Sequence, residues 1–181
     1  MKKLIIIISI LSMAVFSHAH VADLTFRLGQ GGFYDDRSPE GILGGGQVTL
    51  DIKPVKYPIA ISLTNEYYTN SNNPTHSYEI AGMLAVNLLY MKKPFKIERI
   101  NVFLGGGMGR LEVPKGEDKP DDREIGVVYN LEAGINVRAF WKIGLYGIGK
   151  YLYAQKEKNN IEVINFSEFI VLLGITLNFG L

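Results

Sequence analysis

The sequence predicts an all-β chain, an eight-stranded antiparallel up-and-down transmembrane β-barrel. Three observations lead there. The first residues have the layout of an export signal. The remainder alternates apolar and polar residues with a period of two. The connections between the alternating stretches are by turns long and polar, then short.

Met1-Lys2-Lys3 is a short cationic start, Leu4–Phe16 is an apolar run, and Ser17-His18-Ala19 puts small residues where a signal peptidase reads. The run is too short to cross ~30 Å of hydrocarbon. Residues 1–19 are therefore expected to be a cleaved signal peptide, and 20–181 a single barrel domain. Cleavage removes two lysines and no acids, leaving 17 basic and 18 acidic residues and a net charge of −1. That balance gives no reason to expect a nucleic-acid partner. The chain has no cysteine, which excludes disulfides, thiolate metal sites and a cysteine nucleophile. No later segment is long and apolar enough for a membrane-spanning helix.

Taken in order, the strands are expected at about 22–31, 43–53, 58–69, 77–91, 98–111, 124–138, 142–154 and 166–181. The first five and the seventh are bounded by turn residues. The sixth shows the alternation most clearly. Ile125, Val127, Tyr129, Leu131, Ala133, Ile135 and Val137 lie on one face, and Gly126, Val128, Asn130, Glu132, Gly134, Asn136 and Arg138 lie on the other. The eighth repeats it, with Phe169, Val171, Leu173, Ile175, Leu177, Phe179 and Leu181 on its apolar face. Gly32–Gly41, Asn70–His76, Glu112–Asp122 and Gln155–Ile161 are the polar loops. Pro54–Tyr57, Lys92–Ile97 and Phe140–Trp141 are the short turns. An even strand count returns both termini to the turn side, which would face the periplasm.

Most aromatics fall near strand ends. Phe33, Tyr34, Tyr67, Tyr68, Tyr78, Tyr129, Tyr151, Tyr153, Phe166 and Phe169 lie toward the loops, and Tyr57, Tyr90, Phe95, Phe140, Trp141 and Phe179 lie toward the turns. Two such girdles suit the two interfaces of a bilayer. A soluble barrel of eight strands would be apolar inside and polar outside. Here the polar face carries too little charge to coat an exterior. The apolar face is therefore assigned to lipid, where Arg110 near a strand end is its one charge. Arg27, Asp51, Glu66, Glu132, Arg138 and Lys150 are assigned to the lumen. Eight strands leave a lumen just wide enough for side chains to fill, with Gly44–Gly46 and Gly105–Gly107 making room. The expected interior is packed and polar.

The export signal, the eight alternating strands and the terminal strand Phe166–Leu181 together resemble the small outer-membrane β-barrel proteins of Gram-negative bacteria, the OmpA-transmembrane, OmpX and OmpW type. Asn101-Val-Phe-Leu-Gly-Gly-Gly-Met-Gly109 is similar to their glycine-rich middle strand, and Gly126–Arg138 to the strand after it. Such barrels usually end on an aromatic residue that the assembly machinery reads. This sequence ends on Leu181, with Phe179 two residues earlier. The resemblance implies an outer-membrane location, contact with outer-membrane lipid and lipopolysaccharide, handling by the barrel-assembly machinery, and an extracellular ligand through the loops.

Motifs for chemistry are few. Gly144-Leu-Tyr-Gly-Ile-Gly149-Lys150 matches the start of a P-loop, but Tyr151 replaces the magnesium-binding Ser or Thr and no helix follows. His20 and His76 are the only histidines after residue 19. The lipid A deacylase barrels use a His-x-Ser pair on one strand. His76 and Ser77 are adjacent and would point to opposite faces of a strand, so no catalytic residue carries over. Lys115-Gly-Glu-Asp-Lys-Pro-Asp-Asp-Arg-Glu124 lacks the spacing of a calcium loop. The expectation is a non-enzymatic, porin-like membrane protein with no cofactor and no metal, and with a structural or recognition role. A lipid A-modifying hydrolase and a narrow conduit for small hydrophobic molecules are the rival readings.

One contact follows from turn arithmetic. A hairpin centred on Trp141 sets Arg138 opposite Gly144, Asn136 opposite Tyr146, and Glu132 opposite Lys150. Glu132 and Lys150 are thereby expected to form a structural lumen pair. Arg27, Glu66 and Arg138 are the further members of a structural lumen charge network.

Overall fold

Period-two alternation with β-branched and aromatic residues on one face selects extended backbone, and eight such stretches close on themselves. The computed structural model describes residues 21–34, 42–70, 78–94, 97–114, 123–158 and 161–180. It contains β1 (Ala22–Tyr34), β2 (Ile42–Pro54), β3 (Ile59–Asn70), β4 (Tyr78–Lys92), β5 (Ile100–Pro114), β6 (Arg123–Phe140), β7 (Ile143–Lys158) and β8 (Ile161–Gly180). Each strand pairs antiparallel with the next, and β8 pairs with β1, so the sheet is a closed barrel with no free edge. The expected signal peptide 1–19, His20, His76, Ser77 and most of the polar loops, including 115–122, lie outside the described residues.

The ladder is staggered. From Thr25 the pairing runs through Asp51, Ser62, Asn87, Gly107, Asn130 and Leu152 to Glu168 on β8. The direct β8 neighbour of Thr25 is Asn178, ten residues further along. This shear tilts the strands against the axis and fixes the narrow bore.

Strands run further toward the loops than the sequence suggests. β7 reaches Lys158 and β8 starts at Ile161, paired through Lys156–Ile164 and Lys158–Ile161. The expected loop Gln155–Ile161 is therefore mostly paired strand. Polar residues there look like loop, but a hairpin rising beyond the bilayer keeps its ladder and tolerates polar side chains on both faces.

The outer surface is an apolar belt. Leu84, Val86, Leu88 and Tyr90 on β4, Leu131 and Ile135 on β6, and Val171, Leu173 and Ile175 on β8 are all exposed. Gln30 and Asn65 are uncharged exceptions in this belt, and Arg110 pairs with Glu112 at 2.8 Å near the loop end of β5. Tyr67, Tyr129, Tyr151, Tyr153 and Phe169 ring the loop side, and Tyr57, Tyr90, Phe140, Trp141 and Phe179 ring the turn side. The side chains of Phe33, Tyr34, Tyr78, Phe95 and Phe166 lie outside the described residues. Tyr68 departs from the expectation: it is fully buried inside the barrel. It shares the parity of Ser62, Thr64 and Glu66 on β3, so the pleat turns it inward.

Glycines seat the interior aromatics. A Cβ at Gly45 would lie 2.6 Å from the Tyr68 ring, and one at Gly134 would lie 2.9 Å from Cε2 of Phe103. Phe103 and Tyr146 fill the bore in the same layer as Arg27. The interior is packed, but it is polar only in part. Met83, Leu111, Val128, Leu152 and Ala154 form an apolar layer on the loop side, continuous with Tyr68. The expectation of a polar lumen is corrected there. The sequence shows these residues one at a time on inward positions, and only closure of the barrel stacks them into a plug.

Candidate functional site

The inward positions of β1, β2, β3, β6 and β7 bring Arg27, Asp51, Glu66, Glu132 and Lys150 together, each at most 2 % exposed. Arg27 Nη2 donates to Asp51 Oδ1 at 2.9 Å and to Ser62 Oγ at 3.2 Å, and lies 3.5 Å from Glu132 Oε1. The guanidinium sits 4.8 Å from the Phe103 ring centroid and 5.8 Å from that of Tyr146. An Arg flanked by aromatic faces gains cation–π attraction where water is absent.

The second centre is Lys150. Glu132 is its direct cross-strand partner, and Lys150 Nζ lies 2.9 Å from Glu132 Oε2, an ion contact without hydrogen-bond alignment. Lys150 Nζ also donates to Glu66 Oε1. Glu66 accepts from Gln47 Nε2 at 2.9 Å and from the Tyr68 hydroxyl. Tyr146 Oη donates to Gln47 Oε1 at 3.1 Å. The chain Asp51–Arg27–Glu132–Lys150–Glu66–Tyr68 thus runs through the barrel as one connected network.

Three carboxylates face two cations, so every buried charge has an opposite neighbour. Buried ions are tolerable only when paired and hydrogen-bonded. Neutral pairs add further ties: Thr49 with Thr64 at 3.2 Å between the adjacent β2 and β3, and, across an intervening strand, Asn130 on β6 with Asn87 on β4 at 2.8 Å and Thr176 on β8 with Asn136 on β6 at 3.1 Å.

Arg138, placed in the network by sequence, lies elsewhere. It is exposed and lines a mouth at the turn end with Asp23, Lys53, Asn101, Asn136 and Asn178, a cavity of about 390 Å³. It shares the lumen parity, but it stands beyond Asn136, where the bore opens to solvent. The P-loop-like glycines lie in the first half of β7, and the motif's lysine is the ion-paired Lys150. Sequence reasoning missed Gln47, Tyr68 and Tyr146 as network members. The signal was available for Tyr68, two residues from Glu66, and for Tyr146, opposite Asn136.

The cluster holds no histidine, and its hydroxyls bond to its charged members, Tyr68 donating to Glu66 and Ser62 accepting from Arg27. Among the described residues, no group of three or more His, Cys, Asp or Glu side chains could hold a metal ion. The ion-paired string is buried inside the barrel and spans it from β2 to β7.

No protein-family profile and no curated protein matches the chain. Solved structures do match. The crystal structure of neisserial surface protein A (NspA) superposes with a TM-score of 0.60 at 12% identity, covering 87% of this chain and 97% of that one. The N-terminal β-barrel domain of Pseudomonas aeruginosa OprF gives 0.58 at 12% identity, covering 88% and 98%. A major outer membrane protein from Thermus thermophilus gives 0.61 at 13% identity, covering 88% and 100%. The chain has the fold of the small eight-stranded outer-membrane β-barrels.

Proposed function

We propose that this protein is an integral outer-membrane barrel without enzymatic activity, exported by a signal peptide cleaved after Ala19, whose role is structural or lies in recognition through its loops. The observation that carries the reading is a bore filled from its middle to its loop side by an ion-paired network and an apolar layer, inside an exposed apolar belt edged by aromatic rings. A side-chain-filled bore favours a scaffold over a channel. The structural role of Glu132, Lys150, Arg27 and Glu66 belongs to the same proposal: they stabilise the barrel and take no part in proton transfer. Lipopolysaccharide and the assembly machinery are its partners during residence and insertion.

Planar-bilayer recording of the refolded protein tests this. We expect no stable unitary conductance, because Tyr68, Met83, Leu111 and Leu152 close the loop side of the lumen. A steady open-channel level would overturn the packed-lumen reading and favour the conduit. A lipid A mass profile that changes when the protein is expressed would instead favour the hydrolase.

A further inference from the structure

The turn end of the barrel is strongly basic. Lys53 and Lys56 flank the first turn, Lys92, Lys93 and Arg99 the second, and Arg138 and Lys142 the third. Among the described residues at this end Asp23 and Glu98 oppose them, Asp23 lies 3.5 Å from Lys53, and Asp51, deeper in the same mouth, is paired with Arg27. The loop segments 35–41 and 115–122 at the opposite end carry more acids than bases. The charge is therefore divided along the barrel axis and not spread evenly.

The basic rim abuts the aromatic ring. Lys142 Nζ lies 4.9 Å from the Trp141 ring centroid and 5.0 Å from that of Phe179. Trp141 is 74% exposed and has φ of 47°, the left-handed region that Gly or Asn would occupy at less cost. A bulky residue there is strained, because its Cβ crowds the backbone. The tight turn thus carries, at a backbone penalty, a ring suited to the membrane interface with an ammonium directly above it.

We infer that this rim binds anionic phospholipid headgroups in the leaflet on the turn side. The apolar body of Trp141 and Phe179 holds the barrel at the acyl boundary, and Lys142 with its basic neighbours meets the phosphates at headgroup level. The location of the cations beside the girdle favours a lipid over a soluble polymer. The inference rests on the membrane-embedded reading given above.

Trp141 is the only tryptophan in the chain, which makes it a local probe. The experiment is quenching of Trp141 fluorescence by brominated phosphatidylglycerol and brominated phosphatidylcholine in vesicles holding the refolded protein. The expected association constant for the anionic lipid is roughly fivefold that for the zwitterionic one at low salt. High salt should reduce the ratio toward one, and Lys142→Gln should lower it while Lys142→Arg keeps it. Lys156→Gln, at the opposite end of the barrel, should leave it unchanged. Equal constants in the native protein at low salt, or a preference that survives Lys142→Gln undiminished, would overturn the inference while quenching by the zwitterionic lipid upholds membrane embedding. An absence of quenching by either lipid would overturn the embedded reading itself. Retention of soluble polyglutamate without a lipid preference would assign the rim to a polymer and reject the lipid.

Discussion

Replacing Lys150 with Met is expected to destabilise the refolded barrel by about 3–5 kcal/mol. The ammonium is fully buried and contacts both Glu66 and Glu132. Its loss leaves three carboxylates facing Arg27 alone. Arg27 reaches Asp51 and Glu132 but not Glu66, so Glu66 bears most of the penalty. Glu66→Gln in the Lys150→Met background should therefore recover a large part of the loss. Urea unfolding in detergent measures both variants and their combination. Coupling of about 1–3 kcal/mol between the two sites is the expected result. Strict additivity would mean that the two groups do not interact, and the bracing role would fall with it.

Val86→Arg has the second largest expected effect. Val86 lies mid-strand on β4, is 52% exposed, and is surrounded on the outer face by Leu84, Leu88, Leu63 and Met108. A charge in the middle of a lipid-facing belt costs about 2–4 kcal/mol. The same substitution on the wetted exterior of a soluble barrel would change stability by less than about 0.5 kcal/mol. Folding efficiency into vesicles reads the difference, with Val86→Ala as the control for lost apolar area.

Much of this molecule is legible in its sequence, because a barrel wall has one period and one rule. Alternation in 124–138 and 169–181 separates the two faces, and the same parity sends Asn130, Glu132 and Asn136 inward. The turn between β6 and β7 is Trp141–Lys142, one residue later than the expected Phe140–Trp141, and by itself it pairs Phe140 with Ile143; a register shift between Arg138 and Phe140 then sets Glu132 opposite Lys150, the pairing that a hairpin centred on Trp141 anticipates. Contacts across the bore are different. Nothing local says that Arg27 on β1 reaches Glu132 on β6, or that Lys150 on β7 reaches Glu66 on β3. Those depend on closure and on the stagger of the whole sheet. Tyr68 is hidden for another reason. An aromatic near a strand end satisfies the girdle expectation, and only its parity with Glu66 distinguishes inside from outside. Arg138 has the right parity but the wrong depth, and depth is set by where the bore opens, which alternation does not record. β7 and β8 outrun their expected lengths because pairing above the bilayer no longer requires an apolar face.

The apolar face of this barrel is its outside, and the charges are its core. Circular dichroism after dilution from urea, with and without detergent micelles, tests it most directly. A strong β-sheet signal and cooperative unfolding are expected only when micelles are present, with aggregation in buffer alone. A monomeric, cooperatively folded β-protein in detergent-free buffer would contradict it.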